Sequence, residues 1–172
     1  DLNAGGVCGV RFNFVTHLGG TPNLEGMKNV IERVAPIGWH LIIHVNAEDI
    51  VKFEEFFLGF DLPIVVDHMG RVPTSEGVGQ QAFKILLDFM QRDNWWVKVC
   101  GAERISSGGP PFYDAVPYAQ ALIDVAPDRI LWGTDFPHPN ISKWMPNDGD
   151  LLDLVPLFAR DEDLQRKILV DN

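Results

Sequence analysis

Asp135 ends the apolar run Ile130-Leu131-Trp132-Gly133-Thr134, where the chain breaks into the proline-punctuated Phe136-Pro137-His138-Pro139-Asn140. A carboxylate at the carboxyl end of a buried strand can take a proton from water or hold a cation. Capping a turn is the plainer role for the same residue. Recurrence tips the balance toward chemistry, because other strand ends are polar too. His44 closes Trp39-His40-Leu41-Ile42-Ile43-His44, and His68 follows Ile64-Val65-Val66-Asp67. An imidazole so placed can bind a metal, polarise a carbonyl or shuttle a proton, and a hydrogen-bonded core histidine is the alternative. Neighbours on a strand face opposite ways, so only one of Asp67 and His68 is expected in a cleft unless the backbone turns between them. His40 shares a face with His44 but lies at the amino end of its strand, where a structural role is expected.

Two arginines stand near the same strand ends. Arg11 interrupts the apolar Gly9-Val10-Arg11-Phe12-Asn13, where burial without an anionic partner would be costly. Arg104 follows the next-to-last strand and could equally pair with Glu103 at the surface. Guanidinium groups match carboxylates in a bidentate fork, so two at one mouth suit a dicarboxylate. His17 and His138 fall in loops, where solvation is the default expectation.

The elements that must position these groups alternate regularly. Strands are predicted over 6–14, 39–46, 63–67, 95–100 and 129–134, each rich in Val, Ile, Leu or aromatic residues. Between and after them, 24–35, 50–58, 78–92, 113–125, 151–158 and 163–170 carry apolar residues at helical intervals. Strict β-α alternation implies right-handed crossovers and a parallel sheet, in which ligands sit at the carboxyl ends of the strands. Five strands fit either an open doubly wound sheet or the last part of a (β/α)8 barrel.

Composition narrows the partners. The 172 residues are 46% hydrophobic, enough for a core of one compact unit, and the net charge is −10. That charge argues against nucleic acid or an anionic membrane as partner, while leaving room for a small anionic substrate held by a few cations. No basic leader, membrane-length apolar run, phosphate-loop spacing, G-x-S-x-G or H-E-x-x-H motif occurs in the sequence. A soluble, cytoplasmic protein is expected, with Cys8 and Cys100 as buried reduced thiols.

Taken together, Gly9-Val10-Arg11-Phe12-Asn13-Phe14, Gly38-Trp39-His40, Val66-Asp67-His68-Met69-Gly70-Arg71, Glu103-Arg104 and Trp132-Gly133-Thr134-Asp135-Phe136-Pro137-His138-Pro139-Asn140 resemble the amidohydrolase superfamily. Within it they resemble the branch of 2-pyrone-4,6-dicarboxylate hydrolase and related lactonases. The resemblance implies an α/β fold, a TIM-like (β/α)8 barrel, of which 1–172 is a single partial barrel domain holding strands four to eight. Strands one to three, with their His-x-His pair, would lie upstream of Asp1. It further implies hydrolysis of a carboxylated cyclic ester in aromatic-compound degradation. Asp135 would activate water, His68 would assist at the scissile carbonyl, and Arg11 and Arg104 would hold substrate carboxylates. His44 and His17 stand where the pyrone hydrolase has a tyrosine and an arginine, and so bear on substrate choice.

The cofactor implied is either none or one divalent metal, zinc or manganese, held by Asp135 and His68. Two further readings stand beside hydrolysis: a metal-dependent decarboxylase or hydratase of the same superfamily, and a non-catalytic partial barrel that serves as an assembly module. Open sheet edges would in the second case favour self-association into a homo-oligomer.

Overall fold

The computed structural model describes residues 1–141 and 144–172. Its centre is one parallel sheet whose strands pair strictly in chain order: β1 (Gly9–Asn13), β2 (His40–His44), β3 (Ile64–Val66), β4 (Trp95–Lys98) and β5 (Ile130–Leu131). The strands are shorter than the apolar runs predict. β5 pairs with β4 alone, through Val97↔Ile130 and Lys98↔Leu131, and Trp132 to Thr134 lie outside the ladder.

Register divides the sheet into two unlike faces. Arg11 pairs with Ile42, Ile42 with Val65, Val65 with Trp96, and Lys98 with Leu131, so these residues share one face under the period-two rule. Leu41, Ile43, Ile64, Val66, Trp95, Val97 and Ile130 form the other face, each exposed by 1% or less, and pack under the helices. Full burial of such side chains is worth about 1.5–3 kcal/mol each. The core therefore lies between sheet and helices, and the opposite face is free to carry polar groups.

The crossover helices are cut by recognisable signals. α1 (Leu24–Val34) starts at Asn23, whose side chain accepts the Gly26 N–H at 2.7 Å, and buries Met27 and Ile31. The segment expected as one helix over 50–58 is two, α2 (Ala47–Lys52) and α3 (Glu54–Leu58), broken at Phe53 with φ −114° and ψ 19°. α2 begins earlier than predicted because Asn46 and Asp49 form a reciprocal capping box. α4 (Gln81–Met90) buries Phe83, Leu86 and Phe89, and Phe89 stacks on Trp95 with ring centroids 4.1 Å apart.

α5 (Ala102–Ile105) has no counterpart in the predicted elements, being only one turn long after left-handed Gly101. α6 (Val116–Val125) follows a short turn over Tyr113–Ala115. The two predicted carboxyl-terminal helices become α7 (Asp148–Leu152), α8 (Val155–Phe158) and α9 (Glu162–Arg166), the last widening into Lys167–Asp171. Among the described residues, no helix is long and apolar enough to cross a membrane. Cys100 is buried as expected, but Cys8 is exposed, since it precedes the first residue of an edge strand.

Candidate active site

The polar sheet face runs out at its carboxyl end into a cavity of about 720 Å³. Arg11, His17, His44, His68, Arg104 and Asp135 all line it, so the six groups singled out in the sequence meet in one place. Asn13, Asp67, Arg71 and Lys98 join them. Four guanidinium or ammonium groups thus face two aspartates within a chain of net charge −10. Such local focusing of positive charge is what an anionic ligand needs.

The expectation that Asp67 and His68 exclude one another fails at the backbone. His68 and Met69 adopt left-handed φ of 51° and 50°, so the chain turns immediately after β3 and both side chains line the cavity. Left-handed backbone at residues with a Cβ costs about 1–3 kcal/mol per position and persists only where the surroundings fix it. Gly101 helps to fix it here. Its φ is +75°, and a Cβ there would lie 2.9 Å from His68 Cβ and Nδ1. Only glycine lets the β4–α5 link pass so close to the imidazole.

Asp135 itself has a φ of 67° and is held by Arg104, whose Nε and Nη2 donate to Oδ2 at 3.1 and 2.7 Å. Arg104 is 11% exposed and also lies 3.4 Å from Glu103 Oε1, so its pairing is interior rather than at the surface. Asp135 Oδ1 faces His68 Nε2 across 3.6 Å, too far for a direct hydrogen bond. Burial, against the pull of Asp135 and Asp67, holds His68 below the ordinary imidazole value, which leaves the ring neutral near pH 7. Its Nδ1 is 3.3 Å from Cys100 Sγ, a thiol that burial pushes up to about 12.

His44 packs edge-on to His68, ring centroids 5.2 Å apart, and its Nδ1 donates to Asn13 Oδ1 at 3.0 Å, across the register pair of β1 and β2. Nε2 is buried without a hydrogen-bond partner among the described residues. Burial, then the Arg11 charge, push His44 down to about 3. His17 sits in the short turn Thr16–Leu18 and is exposed at the cavity rim. His40, at the other end of β2, lies against Gly9, where a Cβ would come within 2.5 Å of the ring.

His138 corrects an expectation: the loop residue is 2% exposed, its Nε2 2.9 Å from Asp148 Oδ1 and its Nδ1 3.8 Å from Glu103 Oε1. Glu103, Asp135 and His138 offer donor atoms within 4.8 Å of one another, as a metal site would. Arg104 lies 3.4 Å from Glu103 and 2.7 Å from Asp135, while both Glu103 oxygens and His138 Nδ1 are buried without a hydrogen-bond partner among the described residues. Lys98 and Arg71 were missed as cavity residues. Lys98 was legible in principle, since it ends a strand of Trp, Trp and Val and shares a face with Val65.

Comparison with known proteins agrees with this geometry. The amidohydrolase family matches residues 1–172. A 2-pyrone-4,6-dicarboxylate hydrolase of Comamonas testosteroni is 41% identical over 181 residues, covering 100% of this chain and 59% of the relative. A 4-sulfomuconolactone hydrolase of Rhizobium radiobacter is 44% identical over 175 residues, covering 100% of this chain and 58% of the relative. A crystal structure of a Pseudomonas putida protein, provisionally designated a 2-pyrone-4,6-dicarboxylic acid hydrolase, superposes with a TM-score of 0.83 at 30% identity. It covers 99% of this chain and 63% of that one. The chain thus spans less than two thirds of the length of these relatives. With the match running from the first residue to the last, over a parallel sheet that gathers its polar strand ends on one cavity, the chain belongs to the amidohydrolase family.

Proposed function

We propose that the protein hydrolyses a carboxylated cyclic ester, a pyrone or lactone of the 2-pyrone-4,6-dicarboxylate kind, and that β1 to β5 serve as strands four to eight of an eight-stranded barrel. The single observation that carries the chemistry is the division of Asp135: Arg104 occupies Oδ2, and Oδ1 faces His68 Nε2 across 3.6 Å in a cation-lined cavity. A water molecule can bridge that gap. Asp135 Oδ1 takes one of its protons, and the oxygen attacks the ester carbonyl. The Cys100 thiol keeps its proton and donates to His68 Nδ1, which presents Nε2–H to the carbonyl oxygen. As the ring C–O bond breaks, the proton on Asp135 passes to the leaving oxygen. Arg104 orients the base throughout, a task that differs from the substrate clamp expected of it in the sequence. Asp135→Asn is expected to lower kcat by about 10²–10⁴-fold while leaving the affinity for a dicarboxylate within a few fold. Activity that survives the change would remove Asp135 as the base.

A second reading, with a divalent ion, is favoured by Glu103, Asp135 and His138, whose donor atoms lie within 4.8 Å of one another, with both Glu103 oxygens and His138 Nδ1 lacking a hydrogen-bond partner among the described residues. Their oxygen and nitrogen donors are of the kind that zinc or manganese takes, and His68, expected beside Asp135 as a ligand, is not part of that group. When bound, such an ion supplies Lewis-acid polarisation of the carbonyl and makes water more acidic.

A further inference from the structure

We propose that Asp67 is a positioning residue that holds Arg11 and Lys98 together as one anion clamp, and that Lys98 binds substrate. The inference rests on the reading of a dianionic ester as substrate. Asp67 has a side chain only 3% exposed and uses both oxygens: Oδ2 accepts from Arg11 Nε at 2.6 Å and Oδ1 from Lys98 Nζ at 2.7 Å. Arg11 rises from β1 and Lys98 from β4, strands that β2 and β3 separate. Two cations brought together over that span repel one another and would turn to solvent without an anion between them. The buried carboxylate fixes both and still leaves N–H donors on each, because the side chains are 41% and 31% exposed and line the cavity. One negative charge cancels one of the two positive charges, so the clamp suits a single substrate carboxylate. Arg71, whose Nε donates at 3.0 Å to the neutral Asn46, stands ready for the second.

Net charge alone and positioning make opposite demands on Asp67→Asn. Removing a negative charge from a cationic cavity should tighten anion binding; releasing the clamp should weaken it. Isophthalate, a ring dicarboxylate with no ester to cleave, is titrated calorimetrically into the full-length protein and into Asp67→Asn, Lys98→Met and the double variant. Each single change is expected to weaken binding ~10-fold, and the double change to add less than ~3-fold, because the two residues act as one unit. In turnover, each single variant should raise KM ~10-fold with kcat within ~3-fold, a split that a loss of folded protein does not produce. Unchanged or tighter binding by Asp67→Asn overturns the proposal. So does a double variant weakened ~100-fold, as independent sites would be, or an unmodified protein that does not bind isophthalate. If Asp67→Asn fails to fold, Lys98→Met decides alone, and undiminished binding there overturns it. Because isophthalate is not turned over, these results are separate from those that test Asp135 as a base.

Discussion

At the scale of single residues, burial sets the charge states that the chemistry needs. His44 is held neutral by desolvation and by Arg11, with a value near 3, whereas in an unfolded chain it titrates as an ordinary imidazole. The sign follows directly. As pH falls below the ordinary imidazole range, the unfolded chain binds a proton that the folded protein refuses, so stability is lost toward acid and is not affected above that range. Metal-free protein is therefore expected to lose ~1–2 kcal/mol more between pH 7 and pH 5 than His44→Asn does, read from urea midpoints. Parallel profiles for the two proteins would show that His44 does not resist protonation. Asp67 moves the opposite way from a merely buried carboxyl: burial would raise it, but Lys98 and Arg11 hold it below the usual range. These residues were visible in the sequence as types and strand-end positions. Their partners were not, because Arg11 and Asp67 are 56 positions apart and meet only through the register of the sheet.

At the scale of elements, the parallel β-α alternation was legible because each strand is a compact apolar run bounded by polar or turn-forming residues. What escaped the pattern was local backbone chemistry. The turn after β3 gives four consecutive residues, His68, Met69, Gly70 and Arg71, a positive φ, which period-two reasoning cannot anticipate. The same limit explains His138, a loop residue by composition that folds inward between Glu103 and Asp148. The β4–α5 link offers the test of this scale. Gly101→Ala places a methyl group 2.9 Å from His68 at a φ of +75°. It is expected to cost about 1–3 kcal/mol in urea denaturation and to lower kcat by shifting the imidazole. A variant with wild-type stability and turnover would mean that the close approach does not position His68.

At the scale of the whole molecule, an acidic chain gathers four of its 14 lysines and arginines at one cavity. The net charge of −10 argues against broad polyanions as partners, and the sheet register explains how cationic side chains nevertheless meet at one cavity. The carboxyl ends of five parallel strands deliver Arg11, His44, Asp67, Lys98 and Asp135 to one cavity, a convergence that follows from chain-order pairing. The amidohydrolase family accounts for the sheet and the aspartate after its last strand; the substrate is the open choice that the cavity's charges constrain. The most direct test follows the ultraviolet absorbance of 2-pyrone-4,6-dicarboxylate with the full-length protein, before and after chelation and with zinc restored. Water activation by Asp135 on a dianionic ester is expected to consume the pyrone, with turnover that survives chelation if the chain's own residues suffice and returns with zinc if Glu103, Asp135 and His138 hold an ion. A pyrone left intact under every one of these conditions would contradict the assignment of this substrate.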